Sequence, residues 1–199
     1  HLSAVAPPFA GLLKNDFPDI KEITQVLSNA NLAVKYEEKL FNEQNAFFAD
    51  DKFFQFFPVS VVPGNAEKAL ADPYSVMLTE KLGTKYFAND DPMNKMSKID
   101  NLPNRFKVTG IYKELPANSH MHPELLLSFN TLKDPTVYGE QNLKTNWGNN
   151  AFHTYLLFPP NYPVEKIASQ FPAFLDKHVH FPGEPADAKA SRGTKLFFQ

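Results

Sequence analysis

Short apolar runs separated by turn residues dominate the pattern of hydrophobic and polar positions along this chain. Residues 106–112 and 123–129 are two strand-like runs, joined by the turn-rich segment ELPANSH at 114–120. Gly110 interrupts the first run, and a glycine inside a strand usually marks a bulge or a close backbone approach. Pro, Asn and Ser let the connection turn without a ladder partner. The pattern predicts a strand ribbon or a split pair of strands.

Further strands are expected where apolar residues alternate or cluster between turn signals. Residues 20–27 and 32–36, separated by Ser-Asn-Ala-Asn, are typical of a hairpin. Residues 75–78 read as a buried strand, and residues 152–158 read as a further strand. Residues 195–199, with the apolar run Leu-Phe-Phe, predict the start of another strand.

Helical spacing appears in three longer stretches and one short one. Residues 9–16 carry apolar positions at helical spacing behind a Pro pair, and residues 79–87 start at Thr79, a good N-cap. Residues 164–179 form the longest amphipathic pattern, in which Pro172 predicts a kink or break. Residues 53–57 fit a single helical turn after an Asp-Asp pair.

The composition favours a folded domain with an aromatic core. The 199 residues include 19 Phe and 17 Pro but 8 Gly, which indicates many fixed turns. The net charge of −2 argues against nucleic-acid binding. No apolar run approaches the roughly 18 residues that span a bilayer, and the absence of Cys excludes disulfides. Because the chain opens on His1 rather than Met, we expect a piece of a longer protein.

Adjacent carboxylates occur twice, as Asp50 with Asp51 and as Asp90 with Asp91. Paired carboxylates act as acid and base in glycoside hydrolysis. Neighbouring side chains of an extended segment point apart, however, which favours capping and solvation at both places. No Gly-rich phosphate-binding loop is present. The sequence predicts no catalytic residue and no cofactor.

Histidines also occur in pairs, His120 with His122 and His178 with His180, each at i,i+2 on one strand face. A zinc site needs a third ligand, and neither pair supplies one nearby. Ser119 precedes the first pair without the Gly-x-Ser-x-Gly turn of hydrolase nucleophiles. Ordinary polar or capping roles are favoured, and no metal is expected.

The densest aromatic run lies at residues 47–57 and contains Phe53, Phe54, Phe56 and Phe57. Such spacing is more often used for a core cluster than for a ligand groove. The exposed part of this run is nevertheless the candidate contact for a partner or ligand, with these four residues as the candidate site. Together the patterns predict a noncatalytic α+β domain of mixed sheets and short helices.

A series of short motifs in one order carries a family resemblance. The series is FPDI at 17–20, FAD at 48–50, FFQFF at 53–57, PGN at 63–65, AL at 69–70, DP at 72–73, SV at 75–76, KYF at 85–87, DP at 91–92, FKVTG at 106–110, LPANSH at 115–120 and Trp147. This series resembles the MacB-like periplasmic core domain of FtsX-type ABC transporter permeases, over nearly the whole chain from about Pro7 to Gln199. Two positions depart from the family pattern, because Ala88 and Asn94 stand where the family usually has Gly.

The resemblance implies an architecture and a setting. The family domain has a porter-like βαβ part and a strand-rich central part, which we assign to residues 1–37 with 123–199 and to residues 38–122. It lies on the periplasmic face of the bacterial inner membrane, between the first and second of four membrane helices. The implied partners are a second permease half, a cytoplasmic ABC ATPase and, in some systems, a periplasmic adaptor or an outer-membrane channel.

Three functions follow from these observations. The first is a domain that couples ATP hydrolysis elsewhere to substrate export or to a mechanical signal in the envelope. The second is a module that binds an envelope ligand or adaptor without transport, through the exposed part of the aromatic run. The third and remotest is cell-wall hydrolysis by Asp50 or Asp51.

Overall fold

The computed structural model describes residues 4–29, 31–99, 102–180, 183, 185 and 187–198. The strands of these residues are β1 Glu22–Asn29, β2 Leu32–Tyr36, β3 Lys39–Glu43, β4 Ala46–Ala49, β5 Val61–Gly64, β6 Ser75–Thr79, β7 Met96–Ile99, β8 Arg105–Tyr112, β9 Leu125–Ser128 and β10 Phe152–Leu157. The α-helices are α1 Pro8–Asp16, α2 Phe53–Phe56, α3 Glu80–Phe87, α4 Glu140–Thr145, α5 Glu165–Ala168 and α6 Phe171–His178, and 3-10 turns cover Phe129–Lys133 and Ala190–Arg192.

All ten of these strands join one mixed sheet. Its order is β10-β1-β4-β9-β6-β8-β7-β2-β3, and β5 pairs with β8 outside this path. The β4–β9 and β6–β8 pairs are parallel, whereas the other pairs are antiparallel. The predicted α+β class, with mixed strand pairing and short helices, is confirmed. One sheet crosses both predicted subdomains, and their boundary stays a prediction.

The interruption at Gly110 is both a bulge and a close approach. On β6, Val76 pairs with Val108 while Met77 pairs with Gly110, so Thr109 is the extra residue of β8. Gly110 also pairs with Gly64 of β5. The two strand-like runs on either side of the ELPANSH turn, β8 and β9, are not paired with each other, because β6 lies between them. The prediction of a split pair of strands is therefore confirmed, and the alternative of a directly paired ribbon is wrong.

The helix boundaries near Thr79 and Pro172 agree with the sequence predictions. The Thr79 hydroxyl accepts a hydrogen bond from the Leu82 N–H and caps α3, as predicted. The long pattern at 164–179 breaks into α5 and α6, and Pro172 lies in the first turn of α6. A proline ring clashes with the carbonyl four residues earlier, which is that of Ala168, the last residue of α5.

Two strand predictions are wrong. β1 and β2 do not form a hairpin, since β1 pairs with β10 and β4 while β2 pairs with β3 and β7. Residues 194–198 are not part of a β-strand in the structure. Leu196 and Phe198 instead pack against a helical cluster, which accounts for their alternation with exposed Phe197. Gln199 lies outside the described residues.

Three hydrophobic clusters fill the two faces of the sheet. One lies under α3 and contains the inward side chains of β2, β6, β7 and β8. A second lies under α2 and contains Val26, Met77, Tyr112 and Leu126. The third joins α1 near the start of the chain to α5 and α6 near its end, with Phe9 and Phe17 packed against Phe174. Both ends of the described chain therefore belong to one lobe beside β1 and β10.

Candidate functional site

The four residues of the predicted aromatic site differ in burial and fall into two pairs. Phe53 is fully buried and Phe54 is 8% exposed, so both belong to the core under α2. The ring of Phe54 packs edge-on against that of Tyr112, with centroids 5.6 Å apart. Phe56 and Phe57 remain half-buried at the surface. The contact role stays a prediction, and burial limits it to Phe56 and Phe57.

Phe57 is the centre of a surface cluster that brings distant parts of the chain together. Its ring lies edge-on to Tyr155 of β10, with centroids 5.1 Å apart, and 6.0 Å from the ring of His120. The His120 Nε2 atom and the Tyr155 hydroxyl are hydrogen-bonded at 2.6 Å. Burial raises the pKa of Tyr155 to about 12. The cluster therefore consists of packed aromatic rings with a hydrogen-bonded polar tip.

Asp50 holds the chain between β4 and α2. Its carboxylate accepts hydrogen bonds from the Thr24 hydroxyl at 2.5 Å and from the N–H groups of Gln25 and Lys52. Burial raises the pKa of Asp50, and these three hydrogen bonds oppose that rise. The predicted cap of this helical turn by Asp50 or Asp51 is wrong, because the N-cap residue of α2 is Lys52 and its side chain makes no capping hydrogen bond. Asp50 instead accepts a hydrogen bond from the Lys52 N–H, one residue before α2. Its oxygens are thus engaged with the protein's own backbone and Thr24, an arrangement suited to structure.

The histidine pairs do not converge on a metal. His120 bonds Tyr155, whereas His122 is exposed. The His178 Nε2 atom lies 2.7 Å from Asp16, while His180 is exposed. Within the described ranges, no group of three or more His, Asp or Glu side chains is arranged to hold a metal ion. The expectation of no metal stays a prediction.

A buried carboxylate that the sequence did not reveal lies at the edge of the sheet. Glu43 of β3 is 4% exposed and accepts hydrogen bonds from Lys85 Nζ at 2.7 Å and from the Tyr86 hydroxyl at 2.8 Å. Burial, followed by the hydrogen bond to Glu43, raises the pKa of Tyr86. The Phe41 ring stacks on Tyr86 with centroids 4.2 Å apart. Nothing in the local sequence KLFNE at 39–43 indicates this anchor to α3.

A shallow surface pocket of about 440 Å³ lies beside the start of β6. It is lined by Pro73, Tyr74, Asn130, Lys133 and Asp134. The Tyr74 hydroxyl donates to the Asp134 carboxylate, and hydrogen bonds from Thr136 and Tyr74 lower the pKa of Asp134. The lining polar groups are thus largely satisfied within the protein, which does not single the pocket out as a site of chemistry.

The two departures from the family pattern fall at special backbone positions. Ala88 ends α3 with φ +54°, and Asn94 has φ +63°. Both values lie in the region that favours glycine. Asn tolerates this conformation better than Ala because its side chain bonds locally. Both positions therefore have backbone angles that suit glycine, and Ala88 is the more strained of the two.

The described residues contain no helix that is long and apolar enough to cross a membrane. Among curated proteins, none matches the chain. Among solved structures, a domain assigned to a permease protein of Porphyromonas gingivalis is similar, with a TM-score of 0.76 and 20% identity over 89% of this chain and 73% of that one. The extracellular domain of the noncanonic ABC-type transporter YknZ from Gram-positive bacteria has a TM-score of 0.60 and 14% identity, covering 88% and 85%. At these identities the likeness shows a shared fold.

The family follows from the sequence match itself. The model of the MacB-like periplasmic core domain matches residues 3–173, which confirms the resemblance that the motif series carries and the periplasmic location that it implies. The chain belongs to the MacB-like periplasmic core domain family and is a periplasmic domain of an inner-membrane ABC transporter permease.

Proposed function

We propose that this domain is a noncatalytic coupling element, which links ATP hydrolysis by a cytoplasmic ATPase to substrate export or to a mechanical signal in the envelope. The observation that carries the proposal is the family match over residues 3–173. Its implied partners are a second permease half and the ATPase, with an adaptor or outer-membrane channel in some systems.

The packing supports a mechanical role. Segments near both ends of the described chain, α1 on one side and α5 with α6 on the other, share one hydrophobic cluster beside β1 and β10. In the family arrangement, membrane helices adjoin the domain at both ends. A displacement of those helices would enter this single lobe and pass along the hydrogen-bonded sheet to β3 at its far edge.

The test replaces residues 4–198 of the full-length permease with a short Gly/Ser linker. The variant is reconstituted with its ATPase, and ATP hydrolysis is measured beside the envelope phenotype of cells that carry it. We expect hydrolysis to persist and the phenotype to match that of a permease deletion. A wild-type phenotype in cells that carry the variant without the domain would show that coupling does not need it.

A second candidate is binding of an envelope ligand or adaptor without transport. The observation that favours it is the surface cluster of Phe57, His120 and Tyr155, whose aromatic rings are partly exposed, together with the half-buried Phe56 that precedes Phe57 in the chain. If this function is correct, replacing Phe56 and Phe57 by Ala should abolish ligand capture. Neither the variant nor the wild-type domain should then move when the nucleotide state changes. The coupling function predicts movement whether or not this cluster is intact.

A further inference from the structure

One face of the sheet near its β3 edge carries cations in register. Along β2, β7 and β8, Lys35, Lys98 and Arg105 are exposed, while the alternate residues of these strands are buried under α3. Lys35 pairs directly with Lys98, and Lys98 pairs directly with Arg105. Three positive charges therefore stand side by side across adjacent strands, about 5 Å apart.

Neighbouring outward-facing positions add two exposed apolar side chains and a further lysine to this basic face. Leu40 pairs with Lys35 at one end of the row and is 67% exposed. In the next row Met96, 41% exposed, pairs with the exposed Lys107. The basic face is thus defined by Lys35, Leu40, Met96, Lys98, Arg105 and Lys107.

Among the described residues, most of the cations of this face lack an ion-pair partner. The ion pair recorded there joins Lys35 to Glu38 at 3.7 Å, between two well-exposed side chains. Among the described residues Lys98, Arg105 and Lys107 have no ion-pair partner. The chain has more acidic than basic residues, so composition does not force this arrangement. Like charges directly opposite each other destabilise a sheet, and a solvated face of mixed sign would avoid that cost.

We propose that the basic face docks an acidic, amphipathic segment of a partner protein. Carboxylates at i and i+4 on a helix lie about 5–6 Å apart, which matches the spacing of the cation row, and Leu40 and Met96 would contact the apolar side chains of the same segment. Glu37 and Glu38 form the β2–β3 turn at the rim and are exposed. A narrow segment avoids these acidic residues, whereas a broad anionic lipid surface would meet them. The inference goes beyond the coupling role and holds whether or not an ATPase is present.

A stability measurement tests whether the neighbouring cations of the basic face repel one another. Lys98 lies between two other cations, so Lys98→Gln relieves repulsion on both sides and is expected to raise the melting temperature at low salt. Lys133→Gln, on the 3-10 turn after β9, is the matched control and is expected to leave it unchanged. A Lys98→Gln protein that melts at or below the wild-type temperature contradicts the proposed charge strain.

A binding measurement tests the partner chemistry. The probe is a helical peptide of about 20 residues with Glu at i and i+4 beside Leu, compared with the same peptide carrying Gln for Glu and with phosphatidylglycerol vesicles. We expect the wild-type chain to bind the Glu peptide in a salt-dependent manner. Binding should weaken at least about tenfold for the Gln peptide and for the Lys98→Glu/Arg105→Glu variant, a loss of about 1.4 kcal/mol.

The control variant Lys21→Glu/Lys133→Glu makes the same change in net charge away from the basic face and should bind like wild type. Where Lys98→Glu/Arg105→Glu fails to fold, Lys98→Gln/Arg105→Gln takes its place. Equal loss in the control variant, vesicle binding without peptide binding, or no binding of either probe at low salt would each overturn the proposal.

Discussion

Gly64 and Gly110 face each other across the β5–β8 pair so closely that a Cβ atom on Gly64 would lie 2.8 Å from the Gly110 Cα. It would also lie 2.9 Å from the carbonyl oxygen of Thr109. Gly64 has φ +125°, a conformation that L side chains rarely adopt. This contact attaches β5 to the bulge of β8, which is the most irregular point of the sheet.

Replacing Gly64 by Ala should therefore destabilise the protein. Backbone strain and the contact with backbone atoms act together, and we expect a loss of about 1–3 kcal/mol in the free energy of unfolding. Urea denaturation measures it. The control is Gly11→Ala in α1, where an added Cβ meets nothing within 4 Å and the exchange should stabilise by about 0.5–1 kcal/mol. Equal stability of the Gly64→Ala and wild-type proteins would contradict the close approach.

Restoring a glycine at position 88 should have the opposite effect. Ala88 has φ +54° at the end of α3 and is exposed, and its Cβ makes this sparsely populated conformation costly by about 1–3 kcal/mol. The greater conformational entropy of glycine in the unfolded chain cancels part of the gain from relieved strain. We therefore expect Ala88→Gly to raise the free energy of unfolding by about 1 kcal/mol. Ala173→Gly, in the middle of α6, is the control and should lose about 1 kcal/mol. A loss of stability in both variants would refute the strain at Ala88.

The Glu43 anchor should matter far more than an exposed ion pair. Glu43→Ala leaves the buried Tyr86 hydroxyl without its acceptor and removes the partner of Lys85. We expect a loss of about 1–3 kcal/mol by chemical denaturation. Glu140→Ala breaks the exposed pair with Lys144, whose atoms lie 2.6 Å apart, and should cost less than about 0.5 kcal/mol. Similar losses for the two variants would mean that Glu43 contributes no more than a surface charge.

The Asp16 network predicts a pH dependence with a definite sign. Hydrogen bonds from Lys177 and then from His178 lower the pKa of Asp16 in the folded protein. A carboxyl whose folded pKa lies below its unfolded value contributes stability that is present above the unfolded pKa, about pH 4, and is lost as the pH falls through the folded pKa. The melting temperature of Asp16→Asn should therefore lie below that of wild type near neutral pH.

The difference between the two curves should close as the pH falls below about 4. Asp187→Asn, at an exposed position outside the network, is the control and should follow the wild-type curve throughout. A constant gap between Asp16→Asn and wild type across the acid range would mean that the substitution acts through packing rather than through charge.

Local signals in the sequence predicted local structure and missed long-range pairing. Thr79, Pro172 and Gly110 each act within a few residues, through a cap, a steric clash and a backbone approach, and each prediction is confirmed. The pairings along the sheet give β1 and β2 the same direction, so the turn signal between them did not produce a hairpin. The wrong hairpin arose because a turn signal does not say which strands will pair, and both strands find partners elsewhere.

The candidate surfaces show the same limit. Spacing identified the aromatic run, but only the fold shows that Phe53 is buried while Phe57 meets His120 and Tyr155. The basic face arises from strands that are far apart in sequence, since Lys35 and Lys98 become neighbours only through the β2–β7 register. No window of the sequence contains that information.

The coupling role is tested most directly by measuring movement at the far edge of the sheet. This chain has no Cys, so Leu40→Cys, at an exposed position of β3, gives the domain a single labelling site. Spin labels at this position in the paired full-length permease, with other cysteines removed, report the distance between the two copies by electron paramagnetic resonance. We predict that the distance distribution changes between the nucleotide-free, ATP-trapped and ADP-bound states. One unchanged distribution in all three states would contradict a domain that couples ATP hydrolysis to work in the envelope.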